Sequence, residues 1–293
     1  MTTENTEGAE QPDGAESTGI SKQDQAQLAG ILRERLQRPV GLDVWTRAES
    51  KLARTDRDTC EHCDELLQAT RDLVSLHPAL SITLYDLNEH ADRAEQAGVT
   101  HAPTTIIRGG GRSIRFTGYW SGMLLSPFLD VLSFASTLTT PVAPATRAAL
   151  EAIEQRVEID LLVTPYDPYS AHMVQLLGAF AIESRQLRLH VYELSELPIL
   201  AGQRSLTEVP AMTIAGRRFS GAWDEQPLIE QIGRVIAGDG QPVVRDRVLA
   251  TPYVSMEEAR RIAAAQAPSP GAQPPSEPSG ESAAAGLYVP GRD

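Results

Sequence analysis

Leu28, Ile31, Leu32 and Leu36 recur along one helical face behind a capping Ser21, and predict a helix that ends before Pro39. Val40, Leu42 and Val44 then alternate with other residues, which predicts a strand over 40–45. The same succession returns later, as a helical run at about 146–155 and a strand at 157–163. Leu66, Leu67 and Leu73 predict a helix after residue 63, and Met173, Val174 and Leu177 predict a matching one. Further strands are expected at 82–87 and 187–194, a helix at 91–97, and only a short helical turn at 198–206. Hairpins follow at 104–108 with 114–117 and at 211–214 with 217–219, each leading into a final helix. Gly109, Gly110 and Gly111 supply the turn of the first hairpin, and nothing marks them as a phosphate cradle. Ser255 and Glu258 form a capping box for a short helix reaching about residue 266.

The two successions share their punctuation. Cys60 lies 43 residues before Pro103, and Asp167 lies 43 before Pro210. At this offset of 107, Tyr85-Asp86-Leu87 matches Tyr192-Glu193-Leu194, and at an offset of 103 Gly118-Tyr119-Trp120 matches Gly221-Ala222-Trp223. Upstream the offset is 117, because Val40, Leu42 and Asp43 match Val157, Ile159 and Asp160. The first copy therefore carries ten extra residues within 47–59, among them Lys51, Arg54 and Arg57. Internal duplication predicts two α/β modules, at 21–140 and 145–238, each with the order β, α, β, α, β, β, α. Around them lie an acidic tail at 1–20, an extension with a short helix at 239–266, and a Pro-, Ser-, Gly- and Ala-rich tail at 267–293.

Charge narrows the range of partners. The 293 residues hold 26 basic and 39 acidic side chains, a net charge of −13, which argues against nucleic acid or an anionic membrane surface. Part of that excess belongs to Glu4, Glu7, Glu10, Asp13 and Glu16, which no Lys or Arg accompanies in the first twenty residues. No apolar run approaches the roughly 20 residues of a membrane span, and the N-terminus lacks the features of a secretory signal, so a cytoplasmic protein is expected.

Two cysteines in so long a chain are too few for a disulfide framework, and Cys60-Glu61-His62-Cys63 puts both in one CxxC. At the start of a helix, unpaired amides and the helix dipole favour thiolate over thiol. Cys60 is then the expected nucleophile and Cys63 the resolving thiol. His62 adds a charge or a donor that modulates them, while Asp58, Glu61, Asp64 and Glu65 act in the opposite sense. The alternative of half a zinc site needs ligands among His62, His77, His90 and His101, none of which is in paired spacing with another. Pro103 and Pro210 fit either the first residue of a strand or a cis-proline loop facing the dithiol. In the second copy Asp167 and Ser170 replace the sulfurs; with His172 they form a trio in sequence, but an N-cap and its neighbour is the expected reading. Asp43 alternates with Val40, Leu42 and Val44 and is expected on a solvated face, whereas Trp120 and Trp223 are expected in the core.

Cys60-Glu61-His62-Cys63 with Ala102-Pro103, followed by Thr164-Pro165-Tyr166-Asp167-Pro168-Tyr169-Ser170 with Val209-Pro210, resembles the tandem-thioredoxin-fold, or glutaredoxin-like, protein disulfide oxidoreductases. The resemblance covers about residues 20–238. It implies two fused thioredoxin-fold modules, each a mixed sheet flanked by helices, a cis Pro103, and exchange of disulfides with proteins through a single dithiol. Where that family often has CPYC in the second module, this chain has Asp167, Pro168, Tyr169 and Ser170, a degenerate site completed by Pro210. With one active pair, reduction is expected from outside, by a thioredoxin-reductase-like or glutathione-dependent partner. No GxGxxG occurs, and neither a nucleotide cofactor nor a metal is expected. The alternative is a non-enzymatic, redox-responsive adaptor. In either case Leu287-Tyr288-Val289-Pro290, behind a flexible spacer, suggests a docking peptide at 286–293 for a partner assembly.

Overall fold

A computed structural model describes residues 22–48, 60–244, 249–255, 257, 258 and 261. Residues 49–59, with Lys51, Arg54 and Arg57, the acidic tail at 1–20 and the terminal peptide at 286–293 lie outside the described residues. The chain divides into Met1–Met256 and Glu257–Asp293. In the latter, Glu257, Glu258 and Arg261 are helical, at the place where the capping box predicts a helix.

In the first unit, α1 (Lys22–Arg35) leads to β1 (Val40–Thr46), α2 (Cys63–Ser75), β2 (Leu80–Asp86) and α3 (Ala91–Ala97). The hairpin β3 (Thr104–Gly109) and β4 (Arg112–Thr117), a single 3-10 turn and α4 (Leu125–Thr137) follow. After α5 (Pro144–Glu151) come β5 (Val157–Val163), α6 (Pro168–Glu183), β6 (Leu187–Glu193) and α7 (Pro198–Gln203). The chain continues through β7 (Glu208–Val209), β8 (Ala211–Ile214), β9 (Arg217–Ser220), α8 (Glu225–Ile236) and β10 (Thr251–Pro252). Element types agree with the periodicity throughout. The pairing of β7 with β10 is the addition, since two-residue strands carry no periodicity to read.

Among the described residues, eight strands form one mixed sheet in the order β2-β1-β3-β4-β6-β5-β8-β9, flanked by helices. Its two halves repeat one order, and they join where β4 and β6 run parallel with Phe116 opposite Val191. A separate sheet for each half would leave the backbone groups of β4 and β6 unpaired, and the join satisfies them.

Alternate residues of the central strands enter different clusters. Val40, Leu42 and Val44 join Val157, Ile159 and Leu161 in a large core shared by both halves. Trp45 and Ile106 face the opposite side and pack with both cysteines, and Leu162 enters the matching small cluster of the second half. Both faces of β1 are therefore covered, and Asp43 is buried at 5% exposure, contrary to the solvated face that alternation predicts. Arg108 of β3 forms an ion pair with it, as a buried carboxylate requires. Trp120 and Trp223 are core residues, Trp120 stacked on Phe128 at 4.4 Å.

Side chains lock the halves together. Gln175 of α6 donates to Asp130 of α4 at 2.7 Å, and Arg112 donates to the Ile182 carbonyl at 2.7 Å. The Thr117 hydroxyl lies 2.7 Å from both Thr104 and the ring of His190. Burial, with Arg115 adding, holds the His190 ring well below the usual histidine range and so keeps it neutral. Gly178 permits close contact of α6 with α4, since a Cβ there would collide with Val131. Gly118 has φ +97°, and a Cβ would stand 2.5 Å from that of Glu193. A side chain at Gly118 would push apart the join beside β4 and β6.

Candidate active site: the Cys60–Cys63 disulfide

Cys60 is followed by two turn residues, and Cys63 is the first residue of α2. Leu66, Ala69, Thr70 and Leu73 are the buried residues further along this helix, and they anchor it on the sheet. The two cysteines are joined in a disulfide with Cα atoms 5.4 Å apart. Both are largely buried, among Trp45, Leu87, Ala94, Val99, Ala102 and Ile106. The Arg47 backbone N–H donates to Cys63 Sγ at 3.4 Å. Ala102 belongs to the same cluster, and the peptide bond from it to Pro103 is cis. The structure thus gathers Cys60, Cys63, His62 and the Pro103 loop at one place.

A carboxylate from the second half completes it. Glu196, in the loop between β6 and α7, accepts from the Tyr119 backbone N–H at 3.2 Å and sets Oε2 3.6 Å from His62 Nδ1. That separation is an ion pair rather than a hydrogen bond. The His62 ring also stacks on Tyr119, with centroids 6.4 Å apart. Glu196 raises the His62 pKa above the ordinary 6.5 against the opposing effect of burial, and Glu61 and Glu65 add to the rise. Next to it, burial pushes the Glu193 carboxyl up to about 8, with the Glu196 charge adding. Sequence reasoning missed Glu196 as part of this site, because it comes from the second half and reaches His62 and Tyr119 only through the pairing of β4 with β6.

The Glu196→Gln variant is expected to return the His62 pKa toward 6.5, read from its ring protons by NMR titration. An unchanged titration would mean that another group holds the proton.

The second group, Asp167, Ser170 and Pro210, assembles separately. Asp167 caps α6, and its Oδ2 accepts from the Ser170 backbone N–H at 2.7 Å and from the Ser170 hydroxyl at 2.6 Å. Asp167 and Ser170 are both fully buried, and the Val209–Pro210 bond is cis. His172 instead contacts the Trp223 carbonyl at 3.2 Å, so no hydrolytic trio forms.

No protein-family model matches the chain, and no curated protein sequence matches it. A solved protein disulfide oxidoreductase from Aeropyrum pernix K1 is similar over 75% of this chain and 95% of its own, with a TM-score of 0.66 and 23% identity. Two structures of the alkylhydroperoxide reductase AhpF of Enterococcus faecalis, one of them of its NTD_N/C domain, are similar over 73% of this chain and 99% of theirs. Their TM-score is 0.63 and their identity 18%. These likenesses establish the fold, which is that of thioredoxin-like proteins.

Proposed function

We propose that the protein is a cytosolic thiol-disulfide oxidoreductase, built of two fused modules, that exchanges disulfides with protein substrates through Cys60 and Cys63. The observation that carries the reading is the bridge between Cys60 and Cys63 at the first turn of α2, in the same cluster as Ala102 beside cis Pro103. Amides and dipole at the start of this 13-residue helix favour thiolate over thiol, and a protonated His62 adds positive charge within the motif.

In the reduced enzyme the Cys60 thiolate attacks one sulfur of a substrate disulfide and expels the other as a thiolate. The Cys63 thiolate then attacks Cys60 Sγ. This closes the bridge and releases the remaining substrate sulfur as a thiolate. Two electrons pass to the substrate, whose thiolates take protons from solvent. An external dithiol or glutathione-dependent reductant returns those electrons by the reverse exchange. Asp167 and Ser170 cannot pass electrons, and the second module supports the first by placing Glu196 against His62.

The test is reduction of insulin by dithiothreitol. Catalytic amounts of the protein are expected to shorten the delay before the freed chains precipitate. A rate equal to buffer, with the Cys60–Cys63 bridge still forming, would favour the adaptor reading and remove the enzymatic one.

A further inference from the structure

The loop before each cis proline differs between the halves. Among the described residues no strand pairs beside His101 and Ala102, whereas β10 lies antiparallel to β7, with Thr251 opposite Val209 and Pro252 opposite Glu208. The main chain of residues 249–255 is gripped on both sides. The Tyr253 N–H donates to the Thr207 carbonyl at 3.0 Å, and the Ala222 N–H donates to the Leu249 carbonyl at 2.8 Å.

Side chains make the seat selective. The Thr251 hydroxyl donates to Asp167 Oδ1 at 2.7 Å, the carboxylate that stands where the first half has Cys60. The Ser170 N–H and hydroxyl occupy the other oxygen, so Thr251 completes the environment of a fully buried carboxylate. Tyr253 packs on the cluster of Leu162, Tyr192 and Leu194, and its hydroxyl donates to the Leu194 carbonyl at 2.9 Å. Tyr166 closes over the next residue: its hydroxyl donates to the Val254 carbonyl at 2.7 Å and accepts from the Val254 N–H at 3.2 Å.

We infer that the sulfur-free half is a binding groove for an extended peptide, and that its resident ligand is the chain's own segment 249–255. The groove takes a strand with a hydroxyl residue opposite Val209 and a tyrosine two positions on. Main-chain pairing supplies affinity, and the Asp167 carboxylate and the Leu194 carbonyl supply choice. A ligand on the same chain, a short stretch beyond α8, acts at a local concentration in the range of about 1 mM or more, which keeps weaker free peptides out. This half, which lost its sulfurs, is thus also closed to passing substrates. The inference requires no thiol chemistry, so it and the insulin assay can fail independently.

The experiment uses the full chain and a labelled peptide of residues 249–255. Thr251→Val with Tyr253→Phe removes both selective hydroxyl contacts while preserving shape. Hydrogen exchange at the amides of Tyr253 and Ala222 is expected to speed up about tenfold or more, and the double variant is expected to bind the peptide at least about tenfold more tightly than wild type does. A peptide carrying the same two substitutions is expected not to bind. Unchanged exchange, equal binding to both proteins, or faster exchange without peptide binding would each overturn the inference. If the double variant does not fold, Tyr166→Phe removes the groove contact to Val254 and is read by hydrogen exchange alone: faster exchange at Tyr253 and Ala222 is expected, and unchanged exchange would overturn the inference.

Discussion

Replacing Cys60 by serine is expected to bring disulfide exchange down to the rate of buffer, whereas Cys63→Ser is expected to accumulate mixed disulfides with substrate proteins. A serine hydroxyl does not ionise at neutral pH, so no nucleophile remains at the first position. The two sulfurs differ in setting. Cys63 begins the helix and its sulfur receives the Arg47 N–H, while Cys60 precedes the two turn residues. With Cys63 removed, the bond between Cys60 and the first substrate sulfur has no internal thiolate to break it. Insulin turnover and non-reducing gels measure the two outcomes. Equal trapping by the two variants would reverse or erase the assigned roles.

Glu193→Gln is expected to stabilise the protein at alkaline pH and to flatten its dependence on pH. Burial raises the Glu193 pKa from an ordinary 4.5 to about 8. Between those values the folded protein holds a proton that the unfolded chain has released, so stability falls as pH rises through this window. Below about pH 4.5 both states are protonated and the penalty vanishes, and above about 8 it is complete. A displacement of this size is worth on the order of 5 kcal/mol. A neutral glutamine can still accept from the Ser195 N–H, which now donates to Glu193 Oε1 at 2.8 Å. Denaturant midpoints of the two proteins should therefore diverge steadily from pH 5 to pH 8. Parallel curves would show that Glu193 is ionised in the folded state across the whole range.

His62 acts in the same direction for a different reason. Its raised pKa means that the ion pair with Glu196 stabilises the folded state most fully below the ordinary value of 6.5, and the contribution is lost as pH rises through the folded-state pKa. Comparing Glu193→Gln with Glu196→Gln separates the two carboxylates, because only the second should move the His62 titration.

Much of the fold could be read from the chain. Alternation at Val157 to Val163 placed β5 at its observed ends, the helix at Ala91–Ala97 appears where its composition put it, and Asp167 caps α6 as an aspartate before Pro168 should. The expectation for Asp43 failed because period-2 reasoning assumes one wet face, and β1 lies between two neighbouring strands with apolar clusters on both sides. Strand β10 could not be anticipated, since Thr251-Pro252 owes its conformation to the edge of β7 and to the buried Asp167 rather than to its own sequence.

Asp86 and Glu193 show where the two kinds of information divide. They occupy the same position in matching stretches of sequence, each followed by a leucine. Local chemistry, written in the order of residues, determined the dithiol, the proline loops, the caps and the repeated succession of strands and helices. Tertiary structure decided the environments. Strand β2 is at the sheet edge, where amides of Glu89, Asn88 and Ala48 outweigh burial and hold Asp86 below the usual carboxylate range. Strand β6 is flanked on both sides, and there burial drives Glu193 the other way and brings Glu196 to His62. The free energy of a charge depends on how much water the rest of the molecule leaves around it, and no stretch of sequence fixes that by itself.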